Sequence, residues 1–256
     1  MRGTITIAWR DFRALVTTPL FFVVSGLCTL IWSFMYIRVI DAFSRMSLQM
    51  SFQSRGESQG LSLHFEAIVK HISLVNFLLI MAIPALTMRL FSEERKMKTF
   101  DLLLTSPVNA TQIALGKFLG GFGAATMLLL ISLVYPLSTS FLTDLQWGPL
   151  VASYLGMWLL VAAYVAVGVF ASSLTDSVML AVVMALIFNV GLWFVGSGAD
   201  ADNPLLRDIF QQLSLGEHFL GFVKGGIKLA GVTFFLSIVA LNCFLTQRVV
   251  ESMRWR

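Results

Sequence analysis

Apolar residues run almost unbroken for about 20 positions at a time, and six such runs divide the chain: Pro19 to about Ile40, Ile72 to Leu90, Lys117 to Leu137, Leu150 to Ala171, Ser177 to Gly196 and Ile227 to Thr246. About 20 apolar residues is the length an α-helix needs to cross the hydrocarbon core of a bilayer. Thr18-Pro19 opens the first run as N-cap and first helical residue, and Trp32, Trp147, Trp158 and Trp193 mostly fall near the ends of runs, where interfacial aromatics gather. The pattern predicts an all-α, polytopic integral membrane protein with six transmembrane helices and both termini on one side.

The segments between the runs carry patterns of their own. Ile5, Trp9, Phe12 and Val16 recur at helical spacing while Arg10, Arg13 and Thr17 lie away from them, which predicts an N-terminal amphipathic helix lying in the membrane interface. Asp41 to His71 is polar and Ser/Gln-rich and reads as an outer loop, with room for short helices whose places the pattern does not fix. After Asn203-Pro204, a short helix places Leu205, Leu206, Ile209, Phe210 and Leu213 on one apolar stripe, and an apolar piece from Phe219 to Gly226 follows. Two short amphipathic pieces before a last span suggest a dip into the outer leaflet and back. Gly116, Gly120 and Ala124 form a small-residue face on the third run, suited to close packing within the chain or against a second one.

Composition and charge narrow the class. The chain of 256 residues is 57% hydrophobic and 12% charged, half the charge fraction of an ordinary soluble domain, so it has no room for a soluble catalytic domain. Of the 18 lysines and arginines, eleven fall in segments on the side of the N-terminus and seven on the other, which favours cytoplasmic termini. The first run is too long for the apolar region of a signal peptide, and Cys28 and Cys243 both lie inside apolar runs, indicating neither a disulfide framework nor a zinc site. Arg38, Arg89, Lys117 and Lys228 fall at span ends with no ionisable residue at mid-membrane, which argues against a proton- or ion-coupled carrier. Gly116-Lys117 lacks the upstream glycine of a phosphate loop. His64, His71 and Glu66 read as a solvated outer face rather than metal ligands.

The stretch after the second run is the most informative. Glu94 and Lys98 stand at i,i+4, so the second helix continues beyond the membrane as a charged stalk. Thr99 can cap a short helix with Asp101 in its first turn and Phe100, Leu103 and Leu104 on an exposed apolar face; Pro107 ends it at Ser106. Asn109 and Gln112 have capping-box spacing and start the next helix. Residues alone leave two readings of this short helix open, a knob for another protein's groove or a helix resting on lipid headgroups.

The run Glu93-Glu94-Arg95, then Thr99-Phe100-Asp101-Leu102-Leu103-Leu104-Thr105-Ser106-Pro107, then Gly116-Lys117 opening a span, resembles the signature of ABC type-2 exporter permeases, most nearly those of gliding-motility-type systems. The resemblance spans nearly the whole chain and takes in the Ser172-Ser173-Leu174-Thr175-Asp176 turn and the element from Ser214 to Gly226. It implies a single type-2 transmembrane domain over 1–256, with Phe100 to Thr105 as a coupling helix and Glu93, Glu94 and Arg95 as its stalk. It further implies a re-entrant pair of short helices carrying Leu205, Leu206, Ile209, Phe210, Leu213 and Phe219. Lys98 departs from the pattern, because the family commonly has glycine there.

The implied protein is the permease subunit of an ATP-binding-cassette transporter in the bacterial inner membrane, exporting or working on a membrane-associated substrate and not itself an enzyme. The implied partners are a cytosolic ATPase dimer and a second permease copy or a homologous or auxiliary membrane subunit, in contact with the lipid bilayer and no nucleic acid. No cofactor is expected on this chain, with ATP and Mg held by the ATPase. Two competing classes are an intramembrane serine protease built on Ser197 and His218, and a non-transporting membrane scaffold.

Overall fold

The computed structural model describes residues 2–53, 62–100, 108–143, 145–196 and 204–254. Its elements are α1 (Arg2–Val16), α2 (Pro19–Gln53), a π-helical turn (His64–Ile68) that runs into α3 (Val69–Thr87), α4 (Ser92–Lys96), α5 (Ala110–Thr139), α6 (Trp147–Leu174), α7 (Val178–Phe194), α8 (Pro204–Leu213), α9 (Leu215–Val223) and α10 (Leu229–Arg254). Among the described residues, five stretches are long and apolar enough to cross a membrane: Pro19–Gln49, His64–Lys96, Ala110–Thr139, Trp147–Leu174 and Leu229–Met253. The remaining expected span corresponds to α7, whose 17 residues reach about 26 Å at 1.5 Å per residue, the short end of what a bilayer requires.

Sequence and structure differ most between the first two spans. The region read as an outer loop continues α2 for thirteen residues past Ile40, because Asp41 to Gln53 holds no glycine or proline and Asp41 pairs with Arg45 one turn on at 3.2 Å. His64 and His71 are not on a solvated face: both are buried. His64 Nε2 bonds the carbonyl of Val223 at 2.9 Å, and His71 Nε2 that of Ser132 at 3.2 Å, its ring packed between Tyr36 and Tyr135. Glu66 instead pairs with Lys70 on the exposed side at 2.9 Å.

Helix α6 is the axis of the bundle, 78% of its apolar window being buried inside the protein against 22% for α2 and α10. Lipid tails are as apolar as leucine, so helices in a membrane associate through close packing, which small residues permit. Alanine, glycine and valine dominate the middle of α6. A Cβ on Gly156 would strike Phe222 of α9, and one on Gly168 would strike Thr87 of α3. The last glycines therefore seat α9 and α3 on α6, while α2 and α10 leave wide apolar faces to lipid or a partner.

The small-residue face of α5 is used within the chain. A Cβ on Gly116 would come within 2.8 Å of Ile7, and one on Gly120 within 3.0 Å of both the Ala8 carbonyl and the Asp11 Cβ. Helix α1 lies directly on that face with Ile7, Asp11 and Leu15 buried. The predicted stripe is split: Phe12 and Val16 are partly buried against the protein, while Ile5 and Trp9 stay exposed, leaving them for the membrane interface. Helix α1 thus has one face for the protein and another for lipid.

Candidate functional site

The site is the short stalk α4, at the end of the bundle where α1, α5 and α6 meet. The chain breaks between α3 and α4 at Met88–Phe91, and the break leaves backbone N–H groups without partners inside either helix. Ser172, fully buried near the end of α6, accepts from the amides of Phe91 and Ser92, both at 3.2 Å, while its hydroxyl donates to the Met88 carbonyl at 2.8 Å. One serine on another helix caps the stalk.

Arg95 ties the far side of the stalk to the turn after α6. Its Nη1 donates to the Ser173 carbonyl at 2.7 Å, one of the last-turn carbonyls that α6 cannot satisfy internally, and its Nε lies 2.5 Å from Asp176. The Ser172-to-Asp176 turn therefore holds both ends of α4.

Glu94 reaches the opposite way, into a buried ionic cluster. Lys117 of α5 is 1% exposed and its ammonium sits 2.7 Å from Glu94 Oε2 and 3.3 Å from Asp11 Oδ2, donates to the Leu90 carbonyl, and lies 5.0 Å over the Phe91 ring. The Glu94 contact is a close ion pair off the hydrogen-bond direction, so that oxygen has no aligned donor. Arg10 of α1 closes the cluster at 2.8 Å from both Asp11 and Glu94. Partial burial works against the Arg10 charge, but Asp11 and Glu94 outweigh it and hold its pKa above the ordinary value. Two cations and two anions neutralise one another here, which is what allows Lys117 and Asp11 to leave water while Arg10 stays half exposed. Lys117 is thus no loose span-end charge, and α1, α4 and α5 are joined through it.

Beyond Lys96 the helix ends in a Schellman motif. The Thr99 amide bonds the Glu94 carbonyl at 2.9 Å and the Lys98 amide the Arg95 carbonyl at 3.0 Å, with Lys98 at φ 55°. That is the left-handed position where glycine is usual, so the departure noted in the sequence keeps the turn at the cost of a strained lysine. Phe100 corrects an expectation: it is 3% exposed, its ring edge against Phe91 at 5.8 Å, so it anchors the segment to the stalk and lies on no exposed face. Asp101, Leu102, Leu103, Leu104, Thr105, Ser106 and Pro107 lie outside the described residues. Where the chain resumes, the expected capping box is formed, the Asn109 amide donating to Gln112 Oε1 at 3.2 Å.

At the other end of the bundle, α8 and α9 make two short helices before α10. Ser214 caps α9 by accepting from the Glu217 amide at 3.3 Å, so this helix starts at Leu215, four residues before the apolar piece read from the sequence. Phe219 is buried against Trp193, whereas Ile209 and Leu213 are half exposed and Phe210 partly buried. Leu205 and Leu206 are helical in backbone, and their side chains are not among those described. Ser197 lies outside the described residues; His218 bonds through Nδ1 to the Ser214 carbonyl at 2.9 Å and stacks on Phe234.

A family model described as ABC-2 family transporter protein matches residues 5–240. The chain belongs to that family. It is therefore a multi-pass membrane permease subunit of an ABC transporter, a class that works with an ABC ATPase. A search of curated proteins finds no match. Within this ABC-2 permease, Arg10, Asp11, Lys117 and Ser172 are the residues whose roles at the stalk escaped the sequence reading. The signal for two of them was present: Asp11 is the only acid of α1 and Lys117 the only base well inside α5, and lone opposite charges in apolar helices pair when they are buried.

Proposed function

We propose that α4 and the segment from Phe100 to Thr105 form the lever through which a cytosolic ATPase dimer drives this permease, with α1, α4 and both chain termini on the cytoplasmic side of a bacterial inner membrane. The observation that carries this reading is the threefold rooting of α4: Glu94 to α1 and α5, Arg95 to the end of α6, and Ser172 to the break after α3. A push on the segment beyond Thr99 is passed to α1, α5 and α6 together, since Glu94 is held by the first two and Arg95 and the break after α3 by the third. ATP and Mg are bound by the partner, and a second permease copy or a related membrane subunit completes the pore.

With Phe100 turned inward as an anchor, the partner's contact falls to Leu102, Leu103 and Leu104. Burying a leucine contributes about 1.5–3 kcal/mol, so Leu103→Asp with Leu104→Asp weakens a complex that depends on them by roughly a hundredfold or more. Co-purification of the ATPase with wild-type and doubly substituted permease measures this. Loss of the ATPase from a permease that still inserts and folds supports the lever; full retention with normal transport sinks it.

A further inference from the structure

Glu217 opens onto two cavities on opposite sides of α9. A groove of about 710 Å³ runs between α3, α7 and α9, walled by Phe77, Ile80, Leu186, Val190 and Leu220. Its volume is in the range of small-molecule sites, about 300–1,000 Å³. Away from Glu217 its polar lining is largely engaged inside the protein: Ser73 donates to the Val69 carbonyl, Asn76 accepts from the Tyr164 hydroxyl through Oδ1, and Ser214 accepts from the Glu217 amide. What it offers an occupant is hydrocarbon.

The second cavity, about 320 Å³ between α8, α9 and the start of α10, is of the opposite kind. It is lined by Asp208, Gln211, Glu217, His218 and Lys228. Among the described residues none of Asp208, Glu217 or Lys228 has an ion-pair partner. All three are exposed at the mouth of the pocket, so charges of both signs are open to a ligand there, next to a hydrocarbon slot that shares Glu217 with it. An occupant that matches both must join an acyl chain to a compact group carrying an ammonium and an anion.

We propose that this pair of cavities binds a zwitterionic aminophospholipid of the surrounding bilayer, its acyl chain in the α3–α7–α9 groove and its head group over Glu217. The ammonium faces Asp208 and Glu217, and the phosphate faces Lys228. Charge-assisted contacts of this kind are stronger than neutral ones, and they discriminate against a head group that lacks the ammonium.

The test is native mass spectrometry of the purified permease, delipidated and then given either phosphatidylethanolamine or phosphatidylglycerol; no ATPase is needed, so its outcome is separate from that of the lever. Wild type is expected to retain phosphatidylethanolamine preferentially, and Glu217→Gln to lower that retention roughly tenfold. Leu186→Trp, which fills the groove without touching the head-group pocket, is expected to lower retention of both lipids and guards against misfolding of the first variant. Equal retention of the two lipids by wild type, or retention of phosphatidylethanolamine unchanged in both variants, overturns the proposal.

Discussion

Replacing Lys117 with methionine tests whether the ionic cluster holds α1 and α4 to the bundle. Methionine keeps the length and packing of the side chain, including a sulfur contact with the Phe91 ring in place of the ammonium. What it removes is one of two positive charges, leaving Asp11 and Glu94 to share Arg10. Removing one partner of a buried pair costs about 3–5 kcal/mol. Because Arg10 still contacts both carboxylates, the lower figure of about 3 kcal/mol applies here. At about 2–4 °C per kcal/mol for a chain of this size, detergent-solubilised Lys117→Met should melt roughly 6–12 °C below wild type. Adding Asp11→Asn restores a neutral cluster of Arg10 and Glu94 and should recover most of the loss. Glu94→Gln should recover less, since the Glu94 side chain is 23% exposed and that of Asp11 only 7%. Melting curves in one detergent at one protein concentration decide it. A Lys117→Met permease as stable as wild type, or one that Asp11→Asn fails to rescue, refutes the reasoning.

Two further outcomes follow from the same region. Lys98→Gly relieves a left-handed lysine, a conformation that costs an L-residue about 1–2 kcal/mol, partly offset by the extra freedom of glycine in the unfolded chain; the melting temperature should rise by a few degrees, and a fall contradicts the Schellman turn. Gly120→Leu puts a side chain where the Ala8 carbonyl and Asp11 Cβ stand 3.0 Å from even a methyl group, and overpacking of that kind costs about 1–3 kcal/mol. A cysteine at Ile7, shielded in the wild-type background, should then react with a thiol reagent, and continued protection shows that α1 does not rest on this face.

The spans were legible because hydrophobic length is a strong and local signal, and so was the start of α5, whose capping box is written in Asn109 and Gln112. The two short helices α8 and α9 could be placed to within a few residues, the error at Leu215 arising because Ser214 caps one turn before the apolar stretch becomes obvious. Most of what escaped was tertiary. Polarity suggested a loop at Asp41 to Gln53, where an uninterrupted helix forms because nothing in the stretch breaks one. His64 and His71 looked solvated because histidine is polar, yet backbone carbonyls of Val223 and Ser132, distant in sequence, satisfy one nitrogen of each. Phe100 looked exposed because it precedes three leucines, and only the position of Phe91 decides that it turns inward. At the stalk, spacing could suggest Glu94 and Arg95 but not their partners, which lie on three other helices.

The central claim is that the leucines after Phe100 meet an ATPase rather than lipid headgroups. A photo-reactive phenylalanine derivative placed at Leu103, activated in membranes that hold both the permease and its ATPase, reads this contact directly. The account predicts a covalent adduct with the ATPase that is lost when a charged residue replaces Leu104. Adducts with lipid alone, or an unchanged yield after that replacement, would contradict it.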